Sequence, residues 1–454
     1  MSEVARADTI VAIATAPGAG AIGVIRLSGA DAVRVASTLI ALKRGGALAP
    51  RHLHLAELID PASGAPLDSA LVVHMPAPRS YTGEEVVELS CHGNPVLLAD
   101  IVRRLIAAGA RLAEPGEFTR RAYLRGRLDL VQAEAVAELI GARSERAARL
   151  AMRQLRGGVS ACIEGLRDAL LDVIAGLEVA LDFPEDEIGL SRAASVKRCR
   201  DLVARLDALI EGTRHGRSVR DGLLVMLAGR PNVGKSSLLN ALLGQDRAIV
   251  SSTPGTTRDL VEGTLSVNGL SLRIVDGAGL GPPGDAIDAE AMRRSRNALQ
   301  DSDLVLVVLD RSRPLDEADR EVLHLTAGAE RVVVANKSDL PSGWSGGEPS
   351  DRACSALTGA GVAELKALLE QWVDRRAGID ADEGGVVASL RVSEHLHVAR
   401  AGLARSAAAF ELNVPTEAVL VDLREALLAL EHTLGGDAAD AVLDRIFSNF
   451  CVGK

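Results

Sequence analysis

The sequence predicts a multidomain protein of mixed fold class, in which an α/β domain is inserted into an all-α helical domain and a small α+β domain precedes both. Two changes of pattern along the chain predict this arrangement. Residues 126–215 carry Ala, Leu, Arg and Glu in a 3.6-residue period with little Gly or Pro. Between residues 219 and 340, short β-branched runs alternate with helical segments, which is typical of a mostly parallel sheet covered by helices.

The composition limits the class of protein. The chain has 454 residues, and its 47% hydrophobic and 25% charged content is typical of soluble globular domains. Five scattered cysteines without a C-x-x-C pair argue against a disulfide framework and a thiolate zinc site. A net charge of -10 does not favour general affinity for nucleic acid. With no signal peptide and no apolar run near about 20 residues, we expect a cytoplasmic protein without membrane contact.

Four segments are predicted from these patterns. Residues 1–125 form the α+β domain, because strand-like runs at 9–14, 22–27 and 86–90 are separated by Gly/Pro turns. The helical domain begins at 126–218. The α/β domain occupies 219–380, and the helical period returns in 381–454 as the second part of the helical domain.

A phosphate loop follows the first strand of the α/β segment. The apolar run 223–227 leads into G-R-P-N-V-G-K-S, beginning at Gly229, and a helical period follows. Glycines let backbone N–H groups converge on phosphates at a helix N-terminus, Lys235 reaches the β and γ oxygens, and the Ser236 hydroxyl suits Mg²⁺. We expect the following residues to contact the phosphates: Asn232, Val233, Gly234, Lys235, Ser236 and Ser237.

A base-recognition motif predicts that the nucleotide is GTP. The run Asn336-Lys337-Ser338-Asp339 directly follows the strand predicted at 331–335, where the carboxyl end of a parallel strand faces the same crevice. Asp339 can accept from the ring N–H and the exocyclic amine of guanine, a pair of donors that adenine lacks, and Asn336 can bind the base edge. The segment Ser355-Ala356-Leu357 is expected to close over the base.

A metal- and γ-phosphate-binding motif follows the strand predicted at 270–275. In the run Asp276-Gly277-Ala278-Gly279, Asp276 is expected to hold the metal, usually through water, and the Gly279 N–H to meet the γ-phosphate. Residues 261–267 and 270–275 flank Asn268-Gly269, which predicts a hairpin with a type I′ turn.

These residues resemble those of the translation-factor-like small GTPases, and Thr256-Thr257-Arg258-Asp259 narrows the resemblance to the MnmE (TrmE) family of tRNA-modification GTPases. The resemblance covers essentially the whole chain and the order of its domains. It implies a Ras-like GTPase (G) domain at 219–380 and a folate-binding and dimerisation domain at 1–125. It further implies that Thr257 joins Ser236 on Mg²⁺. A GTP-contacting loop is implied at Ser251, Ser252, Thr253, Pro254, Gly255, Thr256 and Thr257, with potassium held by Asn232, Ser251, Thr253 and Thr256.

Hydrolysis needs a group that orients the attacking water. Ras-like enzymes place a Gln after the D-x-x-G glycine, but Leu280 stands there in this chain. The resemblance implies that Asp288, one methylene shorter than the family's Glu, is the catalytic carboxylate, and that potassium supplies the charge of an arginine finger. Gly277 is a second departure, because the family usually has Thr there. The alternative is that Asp288 only caps the following helix.

The resemblance implies a second site, for a reduced folate such as 5-formyl- or methylene-tetrahydrofolate, bound by Arg26, Glu88, Arg127 and Lys454. A carboxylate suits the donors of a pterin and cations suit its glutamate tail. Arg127 stands where Lys is usual. Without the resemblance, Arg26 and Arg127 have the pattern of solvated surface residues. Cys451 is either a catalytic participant in uridine chemistry or an ordinary thiol.

Two other patterns are weaker. The run Gly18 to Gly23 spells the dinucleotide-binding G-x-G-x-x-G, but the residues after it predict a strand, so we reject that reading and expect a ligand or another backbone to come close there. Arginines spaced by three and four predict a basic helix face that contacts RNA or is simply solvated: Arg143, Arg146, Arg149, Arg153 and Arg156.

The resemblance implies a potassium-dependent GTPase that acts as a homodimer. With an FAD-containing partner, MnmG (GidA), it would form a heterotetramer or larger complex and install an aminomethyl or carboxymethylaminomethyl group at the five position of the wobble uridine of certain tRNAs. The one-carbon unit would come from the folate, and the FAD lies on the partner. The alternative is a ribosome-assembly GTPase acting as an RNA-binding switch, which leaves the folate positions and the Cys451-to-Lys454 tail unexplained.

Overall fold

The computed structural model describes residues 8–43, 45–183, 191–244, 262–277, 298–344, 349–377, 389–436, 438–448 and 450–454. These divide into two compact units, one from residues 1–137, 153–207 and 389–454, the other from 138–152 and 208–388. Several predicted site residues lie outside the described residues: Ser251, Ser252, Thr253, Pro254, Gly255, Thr256, Thr257, Ala278, Gly279 and Asp288.

Strands and helices follow the predicted order of α+β, helical, α/β and helical segments. The described strands are β1 (Ile10–Ile13), β2 (Ile22–Ser28), β3 (Ile40–Leu42), β4 (Leu53–Ile59), β5 (Pro66–Met75), β6 (Val86–His92), β7 (Arg111–Leu112), β8 (Leu223–Ala228), β9 (Glu262–Val267), β10 (Leu270–Asp276), β11 (Leu304–Asp310), β12 (Arg331–Asn336) and β13 (Arg352–Ala353). The described helices are α1 (Ala32–Ser37), α2 (Pro95–Ala107), α3 (Glu117–Leu124), α4 (Leu130–Gly141), α5 (Glu145–Leu155), α6 (Gly158–Asp182), α7 (Arg192–Asp221), α8 (Lys235–Leu243), α9 (Glu317–Leu325), α10 (Val362–Ala377), α11 (Leu390–Glu411), α12 (Thr416–Leu434) and α13 (Asp440–Phe447).

A seven-stranded sheet forms the first domain, in the order β3-β4-β5-β6-β2-β1-β7. Side chains alternate between its faces. Ile25 and Leu27 of β2 therefore lie in the core with residues of β6 and α2, while Arg26, between them, lies on the opposite face with Glu88 of β6. The glycine run before β2 is followed by a strand, which confirms the rejection of a dinucleotide site. Backbone does come close there, since a Cβ at Gly93 would lie 2.5 Å from the Gly20 oxygen.

The helical domain is assembled from two segments of the chain that the α/β domain separates. Helix α12 packs against α6 and α11, so the second helical segment completes the first. Arg391, in the first turn of α11, donates to both carboxylate oxygens of Glu134 in α4. Near the chain end, Phe447 and Phe450 pack with Leu130, and this cluster fixes the C-terminal segment. None of the described helices combines the length and apolar character needed to cross a bilayer.

A six-stranded sheet in the order β13-β12-β11-β8-β10-β9 forms the inserted α/β domain. All its pairings are parallel except that of β9 with β10. Asn268 and Gly269 join these two strands with φ angles of 48° and 75°. Positive φ at both positions is what a type I′ turn requires, so the hairpin prediction is confirmed for the described residues.

The arginine repeat departs from its prediction. Helix α5 contains Arg146, Arg149 and Arg153, but Arg143 and Arg156 lie beyond its ends. The single helix face predicted for all five residues is therefore wrong, because the helix begins at Glu145 and ends at Leu155. Arg149 pairs with Glu145 on the exposed surface, as the solvated-face alternative expects.

A buried ion-pair network stabilises the first domain. Arg121 donates to Glu84 at 3.1 Å, to Glu117 at 2.9 Å and to Asp8 at 2.8 Å. Burial opposes ionisation of Glu117 and Asp8, but arginine hydrogen bonds outweigh it and hold the pKa of each carboxyl below its ordinary value. Arg111 also donates to Asp8 and Glu117, and Arg125 donates to Glu84, so replacing the Arg121 guanidinium by an apolar group would remove part of the charge compensation of these carboxylates.

We expect Arg121→Met to lower the free energy of unfolding of this domain by about 3 kcal/mol at neutral pH. The loss should shrink as the pH falls below the ordinary values of 4.5 for Glu117 and 3.8 for Asp8, because protonation removes the charges that Arg121 compensates. Calorimetry of the full chain at several pH values measures this. Arg34→Met, which removes an exposed arginine, is the control, and an equal effect at neutral and acid pH would contradict the expectation.

Candidate functional site

The phosphate loop and the helix after it have the geometry of an anion site. Gly234 precedes α8 with a φ of +95°, and Lys235 begins the helix. The Lys235 ammonium donates to the carbonyl oxygens of Gly229 at 3.0 Å and Arg230 at 3.2 Å. Burial lowers the pKa of Lys235, and the Asp276 carboxylate partly offsets this. Since neutral carbonyls compensate a buried cation less well than an anion does, this site favours phosphate.

Oxygen ligands for a divalent cation lie beside this lysine. Strand β10 runs parallel to β8 with Asp276 paired to Leu227, which brings Asp276 to the phosphate loop. Ser236 Oγ donates to Asp276 Oδ2 at 2.6 Å. Asp276 Oδ1 is buried and has no hydrogen-bond partner among the described residues. A hydroxyl and a carboxylate with an unused oxygen are the donors that Mg²⁺ prefers, so the residues fit that ion.

Asn336 links the phosphate loop to two other loops. Its side chain is 2% exposed, donates from Nδ2 to the Val233 carbonyl at 2.8 Å, and accepts from the Ala356 N–H at 3.0 Å. Sequence reasoning assigned Asn336 only to the base edge and missed this link. The contact also explains Gly234, because a Cβ there would lie 2.3 Å from Asn336 Nδ2.

The base-recognition motif presents its aspartate to solvent. Asp339 is exposed, and its carboxylate has no hydrogen-bond partner among the described residues. Ser338 is fixed by its N–H, which donates to the Cys354 carbonyl at 3.0 Å. Lys337 has a φ of 65°, and its ammonium donates to Asp310 Oδ2 at 2.6 Å. The structure thus brings the motif to the edge of the sheet that carries the phosphate loop.

Asp310 is a site residue that sequence reasoning missed. It ends β11 and is 3% exposed. Burial acts to raise the pKa of Asp310, but hydrogen bonds from Lys337 and Ser312 hold it below its ordinary value. The available signal was its position: Asp310 follows six apolar residues of a parallel strand, as Asp276 follows its own strand.

The other described residues of this site differ in exposure. Asn232 and Ser237 are exposed on the loop and at the start of α8, and Asn232 has a φ of 66°. Ser355 is buried, and its Oγ accepts from the Thr358 N–H, whereas Leu357 is 86% exposed. Leu357 is therefore available to cover a base. The remaining residues predicted for potassium lie outside the described ones.

A second group of predicted residues meets on the first domain. Arg26 Nε donates to Glu88 Oε1 at 2.7 Å, and Arg26 Nη1 donates to the Gly453 carbonyl at 3.4 Å. The guanidinium also lies 5.4 Å from the centre of the Tyr81 ring and 5.7 Å from that of Phe118. Sequence reasoning missed both rings and Gly453, which are far from Arg26 along the chain.

The chain end completes this group. Gly453 has a φ of 99°, and a Cβ there would lie 2.3 Å from the Ile13 oxygen, so the tail is seated closely. Burial lowers the pKa of Lys454, with Arg26 acting in the same direction and Glu88 opposing it. Cys451 is exposed with a free thiol. Arg127 is exposed, and among the described residues no hydrogen bond or ion pair joins its side chain to this group.

The chain is similar to one group of known proteins over almost its whole length. The family model for the GTP-binding protein TrmE N-terminus matches residues 9–127, and the model for the MnmE helical domain matches residues 130–451. The chain is 42% identical to the tRNA modification GTPase MnmE of Koribacter versatilis, over 98% of this chain and 99% of that protein. Proteins of the same name from Symbiobacterium thermophilum and Moorella thermoacetica are 43% and 41% identical, with the same coverage.

We expect Gly234→Ala to weaken nucleoside triphosphate binding at least about tenfold. An L-residue is strained at a φ of +95°, and its Cβ would push Asn336 away from Val233. Titration with a fluorescent nucleotide measures the affinity. Gly328→Ala is the matched control, because no atom lies within 4 Å of a Cβ there. Equal affinity of both variants would show that the Asn336 contact does not matter.

Proposed function

Because the chain belongs to the MnmE family of tRNA modification GTPases, we propose that it hydrolyses GTP to GDP and phosphate as part of tRNA modification. One observation carries the proposal. The buried Lys235, the Ser236–Asp276 pair and the exposed carboxylate of Asp339 occupy the same edge of one mostly parallel sheet. That edge is where α/β folds bind nucleotides.

Each described group has a task in this proposal. Lys235 exchanges the carbonyls of Gly229 and Arg230 for the β- and γ-phosphate oxygens. Ser236 and Asp276 hold Mg²⁺, which when bound neutralises charge on the phosphates. Asp339 accepts two hydrogen bonds from guanine, which selects GTP over ATP.

The cleavage step is assigned to the loops outside the described residues. We propose that Asp288 orients the attacking water, with Thr257 as a further Mg²⁺ ligand. Asn232, Ser251, Thr253 and Thr256 would hold potassium, which would supply the positive charge that an arginine finger provides in other GTPases. The exposure of Asn232 on the phosphate loop supports this, because its side-chain oxygen is accessible to a cation.

The second site is proposed to bind a reduced folate as the one-carbon donor. Arg26, Glu88, Lys454 and Arg127 supply charges of both signs for a pterin and its glutamate tail. The approach of the Gly453 carbonyl to Arg26 supports the assignment, because it puts the chain end beside the predicted ligands. Cys451 would then act in the uridine chemistry, with FAD supplied by the partner protein MnmG and the wobble uridine of tRNA as substrate.

A homodimer is proposed through the first domain. The outer face of its sheet exposes apolar side chains on neighbouring strands, and Leu55 and Leu71 are paired in register. Exposed apolar residues grouped in this way are typical of protein–protein surfaces. The apolar residues on this face are Ile22, Leu53, Leu55 and Leu71. We place the activity in the cytoplasm, where the five free cysteines stay reduced.

We expect Asp339→Asn to weaken GTP binding and hydrolysis by about two orders of magnitude or more and to favour xanthosine triphosphate, whose base offers a carbonyl where guanine has an amine. Rates with both nucleotides, in magnesium and potassium, measure this. Recovery with xanthosine triphosphate is the internal control that the variant is folded. Unchanged preference for GTP would remove the base assignment.

We expect Glu88→Gln to weaken binding of 5-formyltetrahydrofolate at least about tenfold while leaving GTP hydrolysis unchanged, because a neutral amide loses the charge-assisted bonds to pterin donors. Calorimetric titration of the full chain measures the affinity. Glu417→Gln, at an exposed acid in the first turn of α12, is the matched control. Absence of folate binding by the wild-type chain would instead favour the ribosome-assembly alternative.

A further inference from the structure

Two buried aspartates lie at the ends of the segment that joins β11 to α9. Asp310 ends the strand, and Asp319, 1% exposed, lies in the first turn of the helix. Each contacts a basic residue of a nucleotide-binding motif, Asp310 with Lys337 and Asp319 with Arg230. Neither aspartate belongs to a motif by its sequence.

Arg230 connects the phosphate loop to the start of α9. Its Nε lies 3.1 Å from Asp319 Oδ1, its Nη1 pairs with Asp316, and its side chain is only 11% exposed. Asp316 and Asp319 also cap the helix, since each carboxylate accepts from the backbone N–H of the other. The guanidinium is therefore paired with Asp316 and lies against Asp319, but Arg230 Nε and Asp319 Oδ1 are in ion-pair contact without forming a hydrogen bond.

Burial and the neighbouring Asp316 carboxylate act against the charge of Asp319. Burial raises the pKa of Asp319, while hydrogen bonding to the Asp316 N–H and the nearby Arg230 and Arg313 oppose the rise. Fixing Arg230 also fixes its carbonyl oxygen, which accepts from the Lys235 ammonium. The position of the lysine that meets the phosphates is thus connected to Asp319 through a single residue.

Asp310 fixes the base-recognition motif through Lys337, as Asp319 fixes the phosphate loop through Arg230. Its Oδ2 accepts from Lys337, and its Oδ1 accepts from the N–H and hydroxyl of Ser312. Arg313 lies 3.4 Å from the same carboxylate. Lys337 is two residues from Asp339 and has a left-handed backbone, so its anchored side chain restrains the loop that presents Asp339.

We propose that Asp310 and Asp319 are positioning residues for nucleotide binding, and that the segment 310–319 is a brace holding the phosphate loop through Arg230 and the guanine loop through Lys337. The brace rests on the proposed GTPase function. It predicts two separable effects, because each aspartate acts on a different part of the nucleotide. Asp319 affects the affinity for the phosphates, and Asp310 affects the selectivity for guanine.

The test compares affinities for GTP and ITP, whose base lacks the exocyclic amine of guanine. We expect Asp319→Asn to weaken both nucleotides by about tenfold and to leave their ratio unchanged. We expect Asp310→Asn to reduce the GTP-to-ITP preference by about threefold or more, because Asp339 loses its alignment. Glu317→Gln, an exposed acid in the same turn of α9, should change neither quantity.

A double-mutant cycle tests the link through Arg230. Arg230→Gln should weaken GTP binding about tenfold, and the double variant with Asp319→Asn should also lose about tenfold rather than about a hundredfold, because the Arg230–Asp319 ion pair that both changes break can be lost only once. If circular dichroism shows that the aspartate variants do not fold, the GTP affinity of Arg230→Gln alone tests the brace. Folded variants with wild-type affinity and selectivity, or additive losses, would overturn the brace. A wild-type chain that does not bind GTP would instead overturn the proposed function.

Discussion

The candidate nucleotide site depends on one buried amide, the side chain of Asn336. Three loops meet at this edge of the sheet, and each carries backbone groups that need a partner once water is excluded. Asn336 is the last residue of β12, just before the second loop, and it donates to Val233 in the first loop and accepts from Ala356 in the third. Loss of this side chain would leave two polar groups unsatisfied at once, at about 1–3 kcal/mol each. The positions of Lys235 and Asp339 therefore depend on the hydrogen bonds that Asn336 makes.

Local patterns were sufficient to predict the elements and the motifs. Strands β8, β10 and β12 were expected from short apolar runs, and the positions of Lys235, Asp276 and Asp339 followed from motif spacing. The partners that hold these residues could not be predicted in the same way. Asp310 and Asp319 have no motif of their own, and their roles arise because a parallel sheet brings separate loops to one edge. Tertiary proximity of this kind leaves no periodic signal in the sequence.

In the site on the first domain, too, local patterns predict some features and only the folded chain reveals others. Alternation along β2 predicts that Arg26 lies opposite Ile25 and Leu27, and the structure has this arrangement. The contact between Arg26 and Gly453 joins residues 427 positions apart, and only the folded chain reveals it. A glycine is needed at 453 because the tail passes too close to Ile13 for any side chain. A single left-handed glycine thus sets how near the chain end comes to Arg26.

Gly277 is packed closely against strand β8, and its lack of a side chain affects the position of Asp276. A Cβ at this position would lie 2.5 Å from the terminal carbon of Met226 and 2.9 Å from the Leu227 carbonyl oxygen. The methionine side chain could move, but the backbone oxygen cannot move without disturbing β8. The Gly277 N–H donates to that same oxygen at 3.0 Å, which extends the pairing of β10 with β8 beyond Asp276. A side chain at this position would oppose the close approach, so glycine here helps to hold Asp276 against the phosphate loop.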